Sequence, residues 1–153
     1  MRLLLIAAAL LFQNIPAQPT TPDLPTQRWI QDLQTKNLDD VLSLYTPDAV
    51  FIDPTGKQFT TPDALRKLYE QVFATYDSDL TRGKGTIAVQ GNPQLPGAIA
   101  VEAADFSENL RTRATNTTAR ICGDYRFTYI LQQDGHWLVS RMEWTSKACP
   151  ATH

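Results

Sequence analysis

The chain has 153 residues, with 14 Lys and Arg against 16 Asp and Glu, two His and two Cys. That length suits one domain with a real core, and a formal charge of −2 excludes a strongly basic nucleic-acid binder. Hydrophobic residues make up 42%, which argues against disorder, and only His136 lies inside the chain, so a Cys/His zinc site has almost nothing to be built from.

In chain order, Met1-Arg2 supplies a positive charge, Leu3 to Phe12 a nearly unbroken apolar run, and Ile15-Pro16-Ala17 a small residue at a cleavage position. Residues 1–17 therefore read as a signal peptide. The run is about half of the roughly 20 residues a bilayer span needs, so no membrane association is expected once it is removed. The protein is expected to be secreted or periplasmic. In such an oxidising compartment Cys122 and Cys149 are expected to form one structural disulfide, worth about 3 kcal/mol in the chain-entropy account. Asn116-Thr117-Thr118 is a glycosylation sequon wherever the source modifies exported proteins. Pro16, Pro19, Pro22 and Pro25 make residues 18–25 an extended leader, and the folded domain is expected over 26–149.

Thr26 reads as an N-cap, followed by Trp29, Ile30 and Leu33 at helical spacing. Asn37 or Asp39 starts a second short helix carrying Val41, Leu42, Leu44 and Tyr45. Ala49 to Ile52 reads as a strand ended by Asp53-Pro54-Thr55-Gly56, with Phe59 on a short return strand. Thr61-Pro62-Asp63 joins a cap, a proline at the first helical position and an acid in the first turn. The helix it starts carries Leu65, Leu68, Tyr69, Val72, Phe73 and Tyr76 along one face. Beyond Tyr76 the pattern alternates near 79–90, 98–107, 118–133 and 136–146, broken by Gly, Pro, Asn and Asp. Helices followed by antiparallel strands predict an α+β fold: N-terminal helices packed on one face of a curved antiparallel sheet, with a cone-shaped space between.

Asp134-Gly135 signals a two-residue type I′ hairpin turn. That turn predicts an inward face pairing Leu131 with Leu138, Tyr129 with Ser140, Phe127 with Met142 and Tyr125 with Trp144. It puts Ile130, Trp137 and Val139 on the outer face, and makes Arg126–Glu143 a cross-strand ion pair. Arg111, Arg113 and Arg120 are expected as a solvated basic cluster around another hairpin tip, with no aromatic ladder for nucleic acid.

The stretches RWIQDLQTKNLDDVLSLYTPDAVFIDPTGKQFTTPDALRKLYEQVF and DYRFTYILQQDGHWLVSRMEWTS resemble the SnoaL-like branch of the nuclear transport factor 2-like superfamily, which includes ketosteroid isomerases. The resemblance implies a cone-shaped sheet enclosing a mostly apolar pocket. It places Asp53 where those isomerases keep a general base, Tyr45 and Tyr69 where supporting tyrosines lie, and Trp144 where an aromatic lines the pocket. The oxyanion donors are not carried over: Trp29 stands in place of the donor tyrosine and Phe127 in place of the protonated carboxyl. Losing one such donor typically costs 10²–10³ in rate, so steroid isomerisation by that route is not expected.

Three functions remain open. The leading one is binding of a small hydrophobic molecule by Trp29, Tyr45, Tyr69, Tyr125, Phe127, Tyr129, Met142 and Trp144, with no cofactor and no metal. The second is a lyase, isomerase or hydrolase using Asp53 as catalytic base, aided by Glu102 if that side chain points inward. Alternation around Glu102 does not settle its face. The third is a dimerisation module using the outer sheet face around Ile130, Trp137 and Val139; a homodimer is compatible with either of the others.

Overall fold

The structure, a computed structural model, describes residues 21–151. The expected signal peptide at 1–17 and the first part of the leader lie outside the described residues. Helix α1 spans Thr26–Thr35 and α2 spans Leu38–Ser43. Strands β1 (Tyr45–Ile52) and β2 (Gln58–Phe59) precede helix α3 (Pro62–Thr75). Four longer strands follow: β3 (Tyr76–Gln90), β4 (Ile99–Thr112), β5 (Thr117–Leu131) and β6 (Trp137–Lys147).

The six strands form one curved, unclosed sheet in the order β2-β1-β6-β5-β4-β3. Every neighbouring pair is antiparallel except β1 and β6, which run parallel. The chain thus has the expected α+β architecture. Its helices bury their apolar stripes against one sheet face: Trp29, Ile30 and Leu33 from α1, and Leu65, Tyr69 and Phe73 from α3. The start of α3 follows the sequence signal closely, with Thr61 Oγ1 accepting the Ala64 N–H at 3.1 Å and Pro62 at the first helical position.

Several local expectations are corrected: Tyr45 and Tyr76, expected on helices, open strands β1 and β3 instead. Helix α1 begins at Thr26 rather than after it, with Pro25 at the cap position. The Thr26 hydroxyl makes no capping bond; it turns inward to Glu102 and Tyr129. The Asp134-Gly135 turn is a three-residue loop, not a two-residue one. Only Gly135 has positive φ, at 84°, while Gly135 N–H bonds to Gln132 O and Gln132 N–H to His136 O. This is a type I turn closed by a left-handed glycine.

The extra loop residue shifts the register by one next to the turn. Tyr129 pairs with Val139, Ile130 with Leu138 and Leu131 with Trp137. An irregularity between Thr128 and Tyr129 restores the expected pairing beyond it, where Phe127 faces Met142, Tyr125 faces Trp144 and Arg126 faces Glu143. Because strand faces alternate, the slip turns Trp137 and Val139 from the outer face into the core, where both are buried. Neither is available to an outer-face interface.

Cys122 and Cys149 form the disulfide, with Cα atoms 5.1 Å apart. Arg111 is not freely solvated: it pairs with Asp77 on β3, and Lys36 reaches the same carboxylate from the end of α1. Among the described residues no helix is long and apolar enough to cross a membrane.

Candidate functional site

Between the helices and the concave face of the sheet lies a cavity of about 310 Å³, open to solvent on one side. Helix α1 supplies Trp29, Ile30 and Leu33 to its wall, and α3 supplies Leu68, Tyr69 and Val72. The strands contribute every second residue, as pleating requires: Phe106, Glu108 and Leu110 from β4, Met142 and Trp144 from β6. Phe106 lies across Gly123, where an added Cβ would come within 2.6 Å of its ring. A glycine there lets Phe106 pack edge-to-face on Trp144 with ring centres 5.7 Å apart.

Of the residues singled out in the sequence, Trp29, Tyr69, Tyr125, Met142, Trp144 and Asp53 border this cavity. Tyr45, Phe127 and Tyr129, expected on the wall, stand behind it as buried core. Phe127 is stacked on Tyr129 and packed edge-to-face on Trp29.

The hydroxyls near the cavity are drawn into two closed networks. In the first, Trp29 Nε1–H reaches both Tyr45 and Tyr69 hydroxyls at 3.0 Å, and these lie 2.7 Å from each other. Burial lifts the Tyr69 pKa to about 12 and Tyr45 well above its ordinary value. The second network surrounds Glu102, which points inward and is 2% exposed. Its register partner on β5 is Phe127, so Tyr125 and Tyr129 flank it diagonally. Glu102 accepts from Tyr125 at 3.0 Å, Tyr129 at 3.3 Å, the Thr26 hydroxyl and Arg82 Nε at 2.7 Å. Arg82 can reach it because its register partner is Phe106, which shares the inward face of β4 with Glu102. Burial, followed in Tyr125 by the Glu102 charge, pushes the pKa of Tyr125 and Tyr129 up, keeping both phenols neutral donors. Glu102 is thus satisfied within the protein and does not face Asp53 as a second free carboxylate.

Asp53 sits at the rim in its turn. Its Oδ1 accepts from the Thr55 hydroxyl at 2.6 Å, the Thr55 N–H at 2.8 Å and the Lys57 N–H at 3.0 Å. The Thr55 hydroxyl, with both backbone donors assisting, holds its pKa below the usual carboxylate value.

A second cavity carboxyl, Glu108, was not singled out in the sequence. Burial raises its pKa, opposed only by a hydrogen bond from the Ser78 hydroxyl. Its signal was parity: Ala100, Glu102, Ala104, Phe106, Glu108 and Leu110 share one face of β4. Among the described residues lining the cavity none is Lys, Arg or His. No cluster of three potential metal ligands occurs among the described residues.

The profile of the SnoaL-like domain family matches residues 26–137. No curated protein matches the chain. Among solved structures, a nuclear transport factor 2-like superfamily protein from Salmonella enterica serovar Typhimurium superposes with a TM-score of 0.70 at 17% identity, covering 82% of this chain and 88% of that one. A candidate scytalone dehydratase from Novosphingobium aromaticivorans gives 0.68 at 15% identity, covering 84% and 83%. A ketosteroid isomerase-like protein from Erwinia carotovora gives 0.62 at 19% identity, covering 81% and 92%. At these identities the likeness is one of fold.

Proposed function

The chain belongs to the SnoaL-like domain family, and from that premise we propose that it binds a small, largely apolar molecule in the cavity between its helices and its sheet. One observation carries this reading. The cavity is walled by aliphatic and aromatic side chains, and the hydroxyls of Tyr69, Tyr125 and Thr26 at its border are already bonded to other protein groups. Such a site gains mainly by removing apolar surface from water.

The state of Asp53 supports binding over turnover. A general base works best with a pKa near the operating pH, whereas Asp53 is held low by three donors of its own turn. The dehydratase and isomerase names of two structural neighbours describe those proteins, and their catalytic groups are not transferred here. The Cys122–Cys149 bridge suits an oxidising compartment, and we read the protein as exported.

The test is a titration of the oxidised protein with 2-(1-naphthyl)ethanol, followed by tryptophan fluorescence, since Trp29 and Trp144 both border the cavity. Saturable quenching is expected, and Val72→Trp, which fills the space, should abolish it. Quenching that survives in Val72→Trp would place the probe elsewhere and defeat the reading.

A further inference from the structure

Glu102 and Glu108 project from the same face of β4, yet their surroundings differ in kind. Glu102 has a guanidinium and three hydroxyls about it. Glu108 lies in the cavity wall between Phe106 and Leu110, with Leu80 and Ile121 as its register partners on the two neighbouring strands. The Ser78 hydroxyl donates to one of its oxygens. A carboxylate in an apolar wall is costly unless paired with a cation, and among the described residues no side chain lining the cavity supplies one. The other acid at the cavity, Asp53, adds a second negative charge at the rim.

We infer that the ligand of this cavity is a hydrophobic amine, protonated at neutral pH, whose ammonium group pairs with Glu108 while its apolar body lies among Leu68, Val72 and Leu110. The inference rests on the reading of the cavity as a small-molecule site and adds the chemical class of its occupant. Three features favour a cation over the alternatives. An anionic ligand would meet two carboxyl groups and, among the described lining residues, no basic one. A neutral ligand would leave the Glu108 charge without a counter-ion. The Phe106–Trp144 pair also borders the cavity, and aromatic rings attract positive charge. The raised pKa of Glu108 reports the same incomplete compensation.

The experiment compares three probes built on one ring system: 2-(1-naphthyl)ethylamine, 2-(1-naphthyl)ethanol and 1-naphthylacetate. Each is titrated calorimetrically at pH 7 into the oxidised protein and into its Glu108→Gln and Asp53→Asn variants. The amine is expected to bind about tenfold more tightly than the alcohol, the scale of one charge-assisted contact, and the acetate most weakly. Glu108→Gln should bring amine and alcohol to within about twofold, chiefly by weakening the amine; Asp53→Asn should keep most of the preference. Equal binding of amine and alcohol to the unaltered protein would overturn the inference while sparing the cavity as a binding site. Loss of the preference in Asp53→Asn but not in Glu108→Gln would overturn the role of Glu108. Binding of none of the three would defeat both readings.

Discussion

Two carboxyl groups on one strand, six residues apart and on one face, are treated in opposite ways by the fold. Around Glu102 the molecule is closed: β3 brings Arg82, β5 brings two phenols, and α1 brings Thr26, so the charge is both neutralised and hydrogen-bonded. Around Glu108 the molecule is open, and a single hydroxyl takes the place of those four partners. The lesson is that burial alone does not assign a carboxylate to structure or to function; the supply of partners does. A fully partnered acid fixes where β3, β4, β5 and α1 meet. An under-partnered one beside a cavity has bonding capacity left for a ligand.

The largest test of this contrast is Glu102→Ala, which leaves the inward Arg82 without its counter-ion. A loss of about 3–5 kcal/mol in urea unfolding is expected, the range for removing one partner of a buried pair. Glu102→Leu combined with Arg82→Met should recover much of it, because apolar replacement leaves no charge stranded. A cost below about 1 kcal/mol for Glu102→Ala would mean that the closed network carries little of the fold's stability. Next in size, replacing both Cys122 and Cys149 by Ala should cost about 3 kcal/mol for a loop of 27 residues. Cys122 adjoins Ile121, the β5 partner of Glu108, so this change should loosen the open region first. Hydrogen exchange should rise near Ile121 before it rises near Phe127.

Glu108→Gln should act in the opposite direction to Glu102→Ala, raising stability at neutral pH by on the order of 1 kcal/mol. The sign follows from linkage. The folded pKa of Glu108 lies above the ordinary value, so the folded state holds this proton more tightly than the unfolded chain. Its contribution is present at acid pH and is lost as pH rises through the folded pKa. The gain from Glu108→Gln should therefore shrink as pH falls through the carboxylate range, and thermal melts at pH 7 and pH 4 would show it. A variant less stable than the parent at pH 7 would contradict the contrast with Glu102.

Asp53 gives the smallest effect. Its folded pKa is lowered, so its contribution is present above the unfolded value and disappears as pH falls through the folded one. A carboxyl-carbon NMR titration should place its midpoint below the usual value of about 3.9, unmoved by 2-(1-naphthyl)ethylamine. A midpoint raised by the amine's removal would return Asp53 to the cavity chemistry.

Much of the frame was legible because it depends on local signals. Thr61-Pro62-Asp63 sets the start of α3 wherever that helix packs, and two-residue periodicity marks β4, β5 and β6. The Asp134-Gly135 turn was legible as a turn but not as a turn type. Asp-Gly suits both a two-residue and a three-residue loop, and only the second lets Trp137 and Val139 join the core. The cavity was half legible. Trp29, Tyr69, Met142 and Trp144 announce themselves as large residues on apolar faces, but which aromatics border the space and which stand behind it depends on helix placement. Tyr45, Phe127 and Tyr129 therefore fell one layer deeper than expected. Glu108 could have been found by counting in twos from Phe106; its importance could not, since nothing near it in sequence shows that no cation will reach it.

The amino-acid sequence by itself determined the elements, their order, the disulfide partners and the apolar character of the concave face, because these follow from patterns spanning a few residues and from having two cysteines. Tertiary structure alone decided the fate of the carboxyl groups. An acid's character rests on which donors come within about 3 Å of it. Those of Glu102 come from positions 20 to 76 residues away in the chain, brought together by the pairing of β3, β4 and β5 and the seating of α1 on the sheet.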